Sequence, residues 1–257
     1  MTEEKGKQIL TAVERILASS ESIKATVEDA RVKAKEKVAL DKELNLREQT
    51  ARELVRHYSN RAAITGGVTG LPALIPGVGS IAAMVGGGLA EFTLLLKWEV
   101  EMSLALSHVF GFDIDDPRER QLGFLMASVG TYDATGKNFF VDVARVEGTA
   151  IWNYAPRAIG RLVVEAIVAV AAIYLWRGLF KALPVIGIAI GTGMNKVLTQ
   201  RVGARVARDL QTRRALMRDD KPAATKTKAP ARPKTKAKPK AARRRPVAVV
   251  PPADDLN

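Results

Sequence analysis

The chain has 257 residues, 47% of them hydrophobic but only 5% aromatic, no cysteine, and a formal net charge of +13. That length supports one sizeable domain, and the absence of thiols excludes disulfides, thiolate nucleophiles and zinc–thiolate centres. The charge is uneven: residues 221–257 hold 11 Lys/Arg and two Asp, giving +9, which leaves +4 for the rest. The high pI therefore describes an appendage more than a folded surface.

The opening residues, MTEEKGKQIL, lack the basic-then-apolar order of a secretory leader, which predicts a cytoplasmic protein. Ile9, Val13, Ile16, Ser20, Ile23, Val27, Ala30 and Ala34 then alternate four- and three-residue spacings. This seam predicts a long amphipathic helix over residues 1–40, either packed on its own domain or self-associating as a coiled coil. Residues 41–216 form the expected body. Its first helix is marked by Leu44, Leu54 and Val55 within the charged stretch Lys42 to Tyr58.

Ile64 to Gly88, ITGGVTGLPALIPGVGSIAAMVGGG, has 25 residues, no charge, eight glycines and two prolines. A phosphate-binding loop needs a Gly-Lys-Ser/Thr ending, and this stretch has no lysine. The nearest approach, Gly130 to Gly136-Lys137-Asn138, has one residue too many and lacks the hydroxyl. The dinucleotide fingerprint also fails around Gly77-Val78-Gly79. A straight helix of this length would reach about 37 Å and cross a bilayer core of about 30 Å. However, Gly66-Gly67, Gly70-Leu71-Pro72, Pro76-Gly77 and Gly86 to Gly88 each favour a bend. Two short helical arms around Pro76-Gly77 fit better.

Leu89 to Asp113 reads as a helix of about six turns, interrupted by Glu91, Lys97, Glu99 and Glu101. Lys97 and Glu101 stand one turn apart and can pair; an exposed pair of this kind contributes about 0.5 kcal/mol or less. In DIDDPRER, Asp116 occupies an N-cap, Pro117 the first helical position and Glu119 the third, a capping-box arrangement that starts a helix running toward Ser128. Shorter helices are expected over 130–160.

Leu162 to Trp176 and Ala182 to Asn195 are apolar but short. The uncharged run from Ala166 spans about 16 Å, and the second segment about 21 Å. Tyr174 and Trp176 beside Arg177 would suit a headgroup boundary. Gly66 with Gly70, Ala83 with Gly87, and Gly187 with Gly191 form small-xxx-small pairs that predict close helix packing. Such faces serve the core of a soluble helical domain, shallow insertion into a bilayer, or a full span. Beyond Lys196 comes a basic amphipathic helix with Val197, Val202, Val206, Leu210 and Leu216 as its apolar positions. Residues 217–257 are Lys/Ala/Pro-rich and hold too little apolar surface to fold, which predicts a disordered tail.

Catalytic and metal motifs are missing from the sequence: there is no His-Glu-x-x-His and no G-x-S-x-G. His57 and His108 read as packing or surface residues. Asp113, Asp115 and Asp116 read as helix capping, because Pro117 interrupts a calcium-loop plan. Glu91, Glu99, Glu101 and Glu165 stand among apolar neighbours. Exposed helix faces would accommodate them; burial would raise their pKa values and suit proton or cation handling. No cofactor is expected. In the tail, Lys226, Lys228, Arg232, Lys234, Lys236, Lys238, Lys240, Arg243, Arg244 and Arg245 form a polyanion-binding candidate. Each cation near an anionic bilayer contributes about 1 kcal/mol. On duplex DNA each neutralised phosphate steepens the salt dependence by about 0.9 in log–log slope. With no aromatic ring for base stacking, nucleic-acid binding would be sequence-blind.

Three segments together resemble the EcsC family of bacterial proteins: ITGGVTGLPALIPGVGS from Ile64, EVEMSLALSHVFGFDIDDPRER from Glu99, and KALPVIGIAIGTGMNKVLTQRVG from Lys181. They cover roughly residues 45 to 210 and leave the heptads and tail outside. The resemblance implies a mostly helical protein with membrane association and supplies no catalytic residues. The resulting expectation is an all-α, non-enzymatic protein at the inner face of the cell membrane. It would contact the bilayer through glycine-rich helical hairpins, and its tail would hold anionic lipid or another polyanion. One alternative is a soluble scaffold binding DNA or RNA through the tail. Another is an enzyme acting on an apolar molecule, resting only on the carboxylates.

Overall fold

The computed structural model describes residues 1–40, 45–67, 78–134, 156–180 and 184–219. Within them the chain is helical: α1 (Glu3–Ile16), α2 (Ser20–Leu40), α3 (Leu46–Gly67), α4 (Val78–Val85), α5 (Gly87–Val109), α6 (Pro117–Ala134), α7 (Pro156–Phe180) and α8 (Pro184–Asp219). No strand occurs among the described residues. Met1–Asp220 make one compact unit.

The helix starts follow local chemistry. Thr2 Oγ1 accepts from the Lys5 N–H at 3.4 Å, Ser19 Oγ from Ser22 at 3.3 Å, Asn45 Oδ1 from Arg47 at 2.9 Å and Asp116 Oδ1 from Arg118 at 2.8 Å. These bonds satisfy donors that a first turn leaves unpaired. α6, α7 and α8 each begin on a proline, whose missing N–H is no loss in a first turn. α5 ends in a left-handed Gly111 (φ 92°), with Phe112 N–H bonded to Ser107 O and Gly111 N–H to His108 O, both at 3.0 Å. This is the Schellman closure. Gly86 (φ 89°) breaks the chain between α4 and α5, the bend expected of the glycine triplet.

α5 is the central helix and packs against each of the other seven. Every residue from Glu99 to Ser107 is buried. Four helical glycines allow close approach between elements. A Cβ on Gly6 would meet Val168 at 2.6 Å, on Gly123 Leu104 at 2.6 Å, on Gly130 Val202 at 3.0 Å, and on Gly203 Val55 at 2.7 Å. Gly130, the near-miss phosphate-loop glycine, is thus a packing position inside α6.

Several sequence expectations change. The N-terminal seam is helical but not one helix: Leu17 turns extended (ψ 137°), and Ser19 restarts the chain as α2. The seam residues Ile9, Val13, Ile23, Val27 and Ala30 all enter the chain's own core. α6 continues past Ser128 to Ala134, and the segment from Pro184 and the basic helix after Lys196 are one 36-residue helix. Of that helix's expected apolar positions, Val202, Val206 and Leu210 are buried, whereas Val197 and Leu216 are exposed.

Candidate functional site

Three features of the body bear on function. The first is a set of carboxylates held inside the bundle. Glu99, fully buried on α5, accepts hydrogen bonds from the hydroxyls of Thr131 on α6 and, at 3.2 Å, Thr199 on α8. Burial pushes its pKa up to about 7, and the two hydroxyls oppose that rise. Glu101 is 2% exposed and accepts from Lys97 Nζ at 2.9 Å and from the Ala18 N–H at 2.8 Å. That second bond explains how the break between α1 and α2 is tolerated: the N–H freed there finds an α5 carboxylate. Burial draws the Lys97 pKa down while Glu101 opposes it. Glu119 on α6 forms a two-pronged pair with Arg213 on α8, at 2.8 and 2.5 Å, and the guanidinium lies 4.0 Å from the centroid of Phe112.

These positions correct the sequence reading. Glu99 and Glu101 do not sit on exposed faces, and the Lys97–Glu101 pair is not a surface pair. Glu119 does not close a capping box on Asp116. The Asp116 N–H bonds instead to the Asp113 carbonyl at 3.2 Å, and Glu119 points inward because an arginine waits there. Asp116 and Pro117 hold the cap and first-turn positions assigned to them. Glu165 is exposed beside Arg161 at 3.0 Å. His57 and His108 are half-buried, and burial draws both pKa values down.

The second feature is a pole of the bundle. Thr65, near the end of α3, accepts from the Trp98 indole N–H at 3.0 Å. Asn195 on α8 receives the Tyr174 hydroxyl of α7 at 2.7 Å and donates to Glu91 of α5 at 3.3 Å. The end of α3 is therefore fixed at the middle of α5, at Trp98, and α8 two turns earlier, at Glu91, with Tyr174 of α7 joined through Asn195. From these helix ends run the two uncharged, proline- and glycine-bearing stretches of the sequence. Ile64, 60% exposed, and Leu175, 40% exposed, stand at the same helix ends. Tyr174 itself is buried and hydrogen-bonded, which corrects its placement at a headgroup boundary. The side chains of Trp176 and Arg177 lie outside the described residues. So does Gly70, as do the surroundings of Gly66, Ala83, Gly87, Gly187 and Gly191 and the whole cationic series from Lys226 to Arg245. Among the described residues no helix is long and apolar enough to cross a membrane.

The third feature is a groove of about 690 Å³ between α3 and α8. Gly203 lets α8 settle against Val55, and Ala51, Ala204 and Ala207 leave the space above that contact unfilled. Arg52, Arg56, Lys196 and Arg208 rim it, with Glu48 the one acid among its lining residues. The sequence did register the basic character of α8. What it could not show was that α3 turns a matching pair of arginines to the same trough. The packing glycines were missed too, although an isolated glycine inside a helical pattern is itself a packing signal.

The fold and these features define an all-α protein built around one buried central helix, with buried ion pairs fastening its core and cationic surface on α3 and α8. The chain belongs to the EcsC protein family, whose model matches residues 1–216. That match takes in α1 and α2, which the three sequence motifs alone leave outside. Neither a curated protein nor a solved structure matches the chain.

Proposed function

We propose that this EcsC-family protein is a non-enzymatic peripheral protein of the inner membrane face. In this reading it docks on anionic lipid through one pole of its helical body, aided by its basic tail. The observation that carries the reading is the convergence at that pole. Hydrogen bonds Thr65–Trp98, Tyr174–Asn195 and Asn195–Glu91 tie to the Glu91–Trp98 segment of α5 both the end of α3, where one uncharged stretch begins, and Asn195 of α8, where the other ends. Shallow apolar contact is weak alone, as is polybasic attraction, and two such signals together give stable attachment. The buried carboxylates favour a binding protein over an enzyme. Glu99 and Glu101 are buried and already engaged by Thr131, Thr199, Lys97 and Ala18.

Flotation with phosphatidylglycerol-containing vesicles, using the intact chain and a 1–220 form across a salt series, tests the reading. The intact protein should float at low salt, and the 1–220 form should retain a salt-resistant fraction. An intact protein that stays at the bottom of the gradient at low salt contradicts it. Retention on DNA, abolished by removing residues 221–257, would then favour a scaffold acting on nucleic acid.

A further inference from the structure

We infer that the α3–α8 groove is a binding site for a single anionic phospholipid, its phosphate held by the rim cations and its acyl portion laid on the floor. The inference rests on the membrane-face reading for the source of its ligand, but it uses different residues and a different region of the body.

The groove combines an apolar floor with a cationic rim. Its floor is hydrocarbon: Ala51 is buried, Val55 and Ala207 are half-buried, and Ala204 completes the surface. Its rim carries Arg52, Arg56, Lys196 and Arg208 against Glu48. None of the four cations has a carboxylate within salt-bridge distance among the described residues, in contrast to Arg205, which is engaged by Asp133 and Asp209. Lys196 and Arg208 stand twelve residues, about 18 Å, apart along α8, so a phosphate at the Arg208 end of the trough is served by Arg208 and the α3 arginines, whose mutual repulsion it offsets, and Lys196 marks the other end. Guanidinium groups also match phosphate oxygens in two-pronged geometry.

The trough continues past Glu48 and Gln211 into a second cavity of about 360 Å³, bordered by Phe110, Arg47 and Arg214. Arg214 Nη1 is buried there without a hydrogen-bond partner among the described residues. A buried unsatisfied guanidinium nitrogen is costly, and an anionic oxygen would satisfy it. The larger cavity falls within the size range of small-molecule sites, about 300–1,000 Å³. Nucleic acid fits less well, because no aromatic ring lines the larger cavity to stack a base. An acidic peptide would meet the rim but leave the methyl floor unused.

The test uses calorimetric titration of the full chain with dihexanoyl-phosphatidylglycerol kept below its micelle concentration, so that no bilayer is present. Dihexanoyl-phosphatidylcholine, inorganic phosphate and an oligoglutamate peptide serve as comparison probes. Two variants address the two halves of the site: Arg52→Glu with Arg208→Glu for the rim, and Ala204→Trp for the floor. These positions are exposed, and melting curves verify that each variant folds. Arg118→Glu, exposed on α6, controls for charge change. The basic tail is common to all variants and cancels between them, so each probe is read as the difference between wild type and site variant.

Each site variant should weaken phosphatidylglycerol binding about tenfold or more, as expected from losing charge-assisted bonds or buried contact area. The control should remain within about twofold, a change of roughly 0.4 kcal/mol. Phosphatidylcholine and free phosphate should bind more weakly than phosphatidylglycerol. An unchanged affinity in Ala204→Trp would overturn the inference by reducing the groove to a charged surface. A rim variant that loses as much phosphatidylcholine binding as phosphatidylglycerol binding, or loses more oligoglutamate binding than phosphatidylglycerol binding, would overturn it as well. Loss of monomeric lipid binding with flotation intact would refute the groove and leave membrane docking standing; the reverse pattern would refute docking and leave the groove.

Discussion

Replacing Glu99 with Gln should alter how stability depends on pH, and the direction is fixed by where the carboxylate sits. Burial raises its pKa in the folded protein from 4.5 to about 7, while the unfolded chain titrates near the ordinary value. Between those two points the folded state holds the proton more firmly than the unfolded state, so stability falls as pH rises. At about 1.4 kcal/mol for each pH unit separating the two values, the full loss is about 3 kcal/mol. Most of it should appear between about pH 4.5 and pH 7. Glu99→Gln cannot ionise; its amide oxygen can accept from the Thr199 hydroxyl while its NH2 donates to the Thr131 hydroxyl, which still donates to the Ala127 carbonyl. His57 and His108, whose pKa values are drawn down by burial, push stability the opposite way but are common to both proteins.

Urea unfolding of the two forms at matched pH isolates the Glu99 contribution. The curves should nearly meet at about pH 4 and separate by about 3 kcal/mol at about pH 7 and above, with Glu99→Gln the more stable. Parallel curves, or a wild type that gains on the variant as pH rises, would refute the burial argument.

Further outcomes follow from the packing. Arg213→Ala strips the buried Glu119 carboxylate of both its bonds and should cost about 3–5 kcal/mol in urea unfolding. Replacing both partners with leucine should cost much less, because no unpaired charge remains. Gly203→Val places methyl groups where even a Cβ would meet Val55 at 2.7 Å and Met102 at 2.9 Å; overpacking of this kind should lower stability by about 1–3 kcal/mol. Asp116→Ala removes the cap on the Arg118 N–H and should cost about 1 kcal/mol. Thermal or urea melts read each of these.

How far the sequence disclosed this arrangement depends on whether the signal was local. Asp116-Pro117 announced the start of α6 because capping and proline geometry act within a few residues. The three-four spacing from Ile9 to Ala34 identified the helical face, but nothing local showed a break at Leu17, since the freed Ala18 N–H is satisfied by Glu101, 83 positions away. Distance in sequence also hid the true environment of Glu99, whose partners Thr131 and Thr199 lie on two other helices. The same applies to Glu119: its spacing from Asp116 fitted a capping box, and only tertiary contact with Arg213 gives it another partner. The groove needed both α3 and α8 side by side before Arg52 and Arg208 could be read as one rim.

Because the chain has no cysteine, a single cysteine introduced at Ile64, exposed near the end of α3, can carry an environment-sensitive nitrobenzoxadiazole dye, with a second labelled form at Val32, exposed on α2, as reference. On addition of phosphatidylglycerol vesicles, polar docking predicts a blue shift and brightening at position 64 that persist at high salt, with little change at position 32. Vesicle binding that leaves the probe at 64 in a water-like environment would contradict the claim that this end of α3 meets the bilayer.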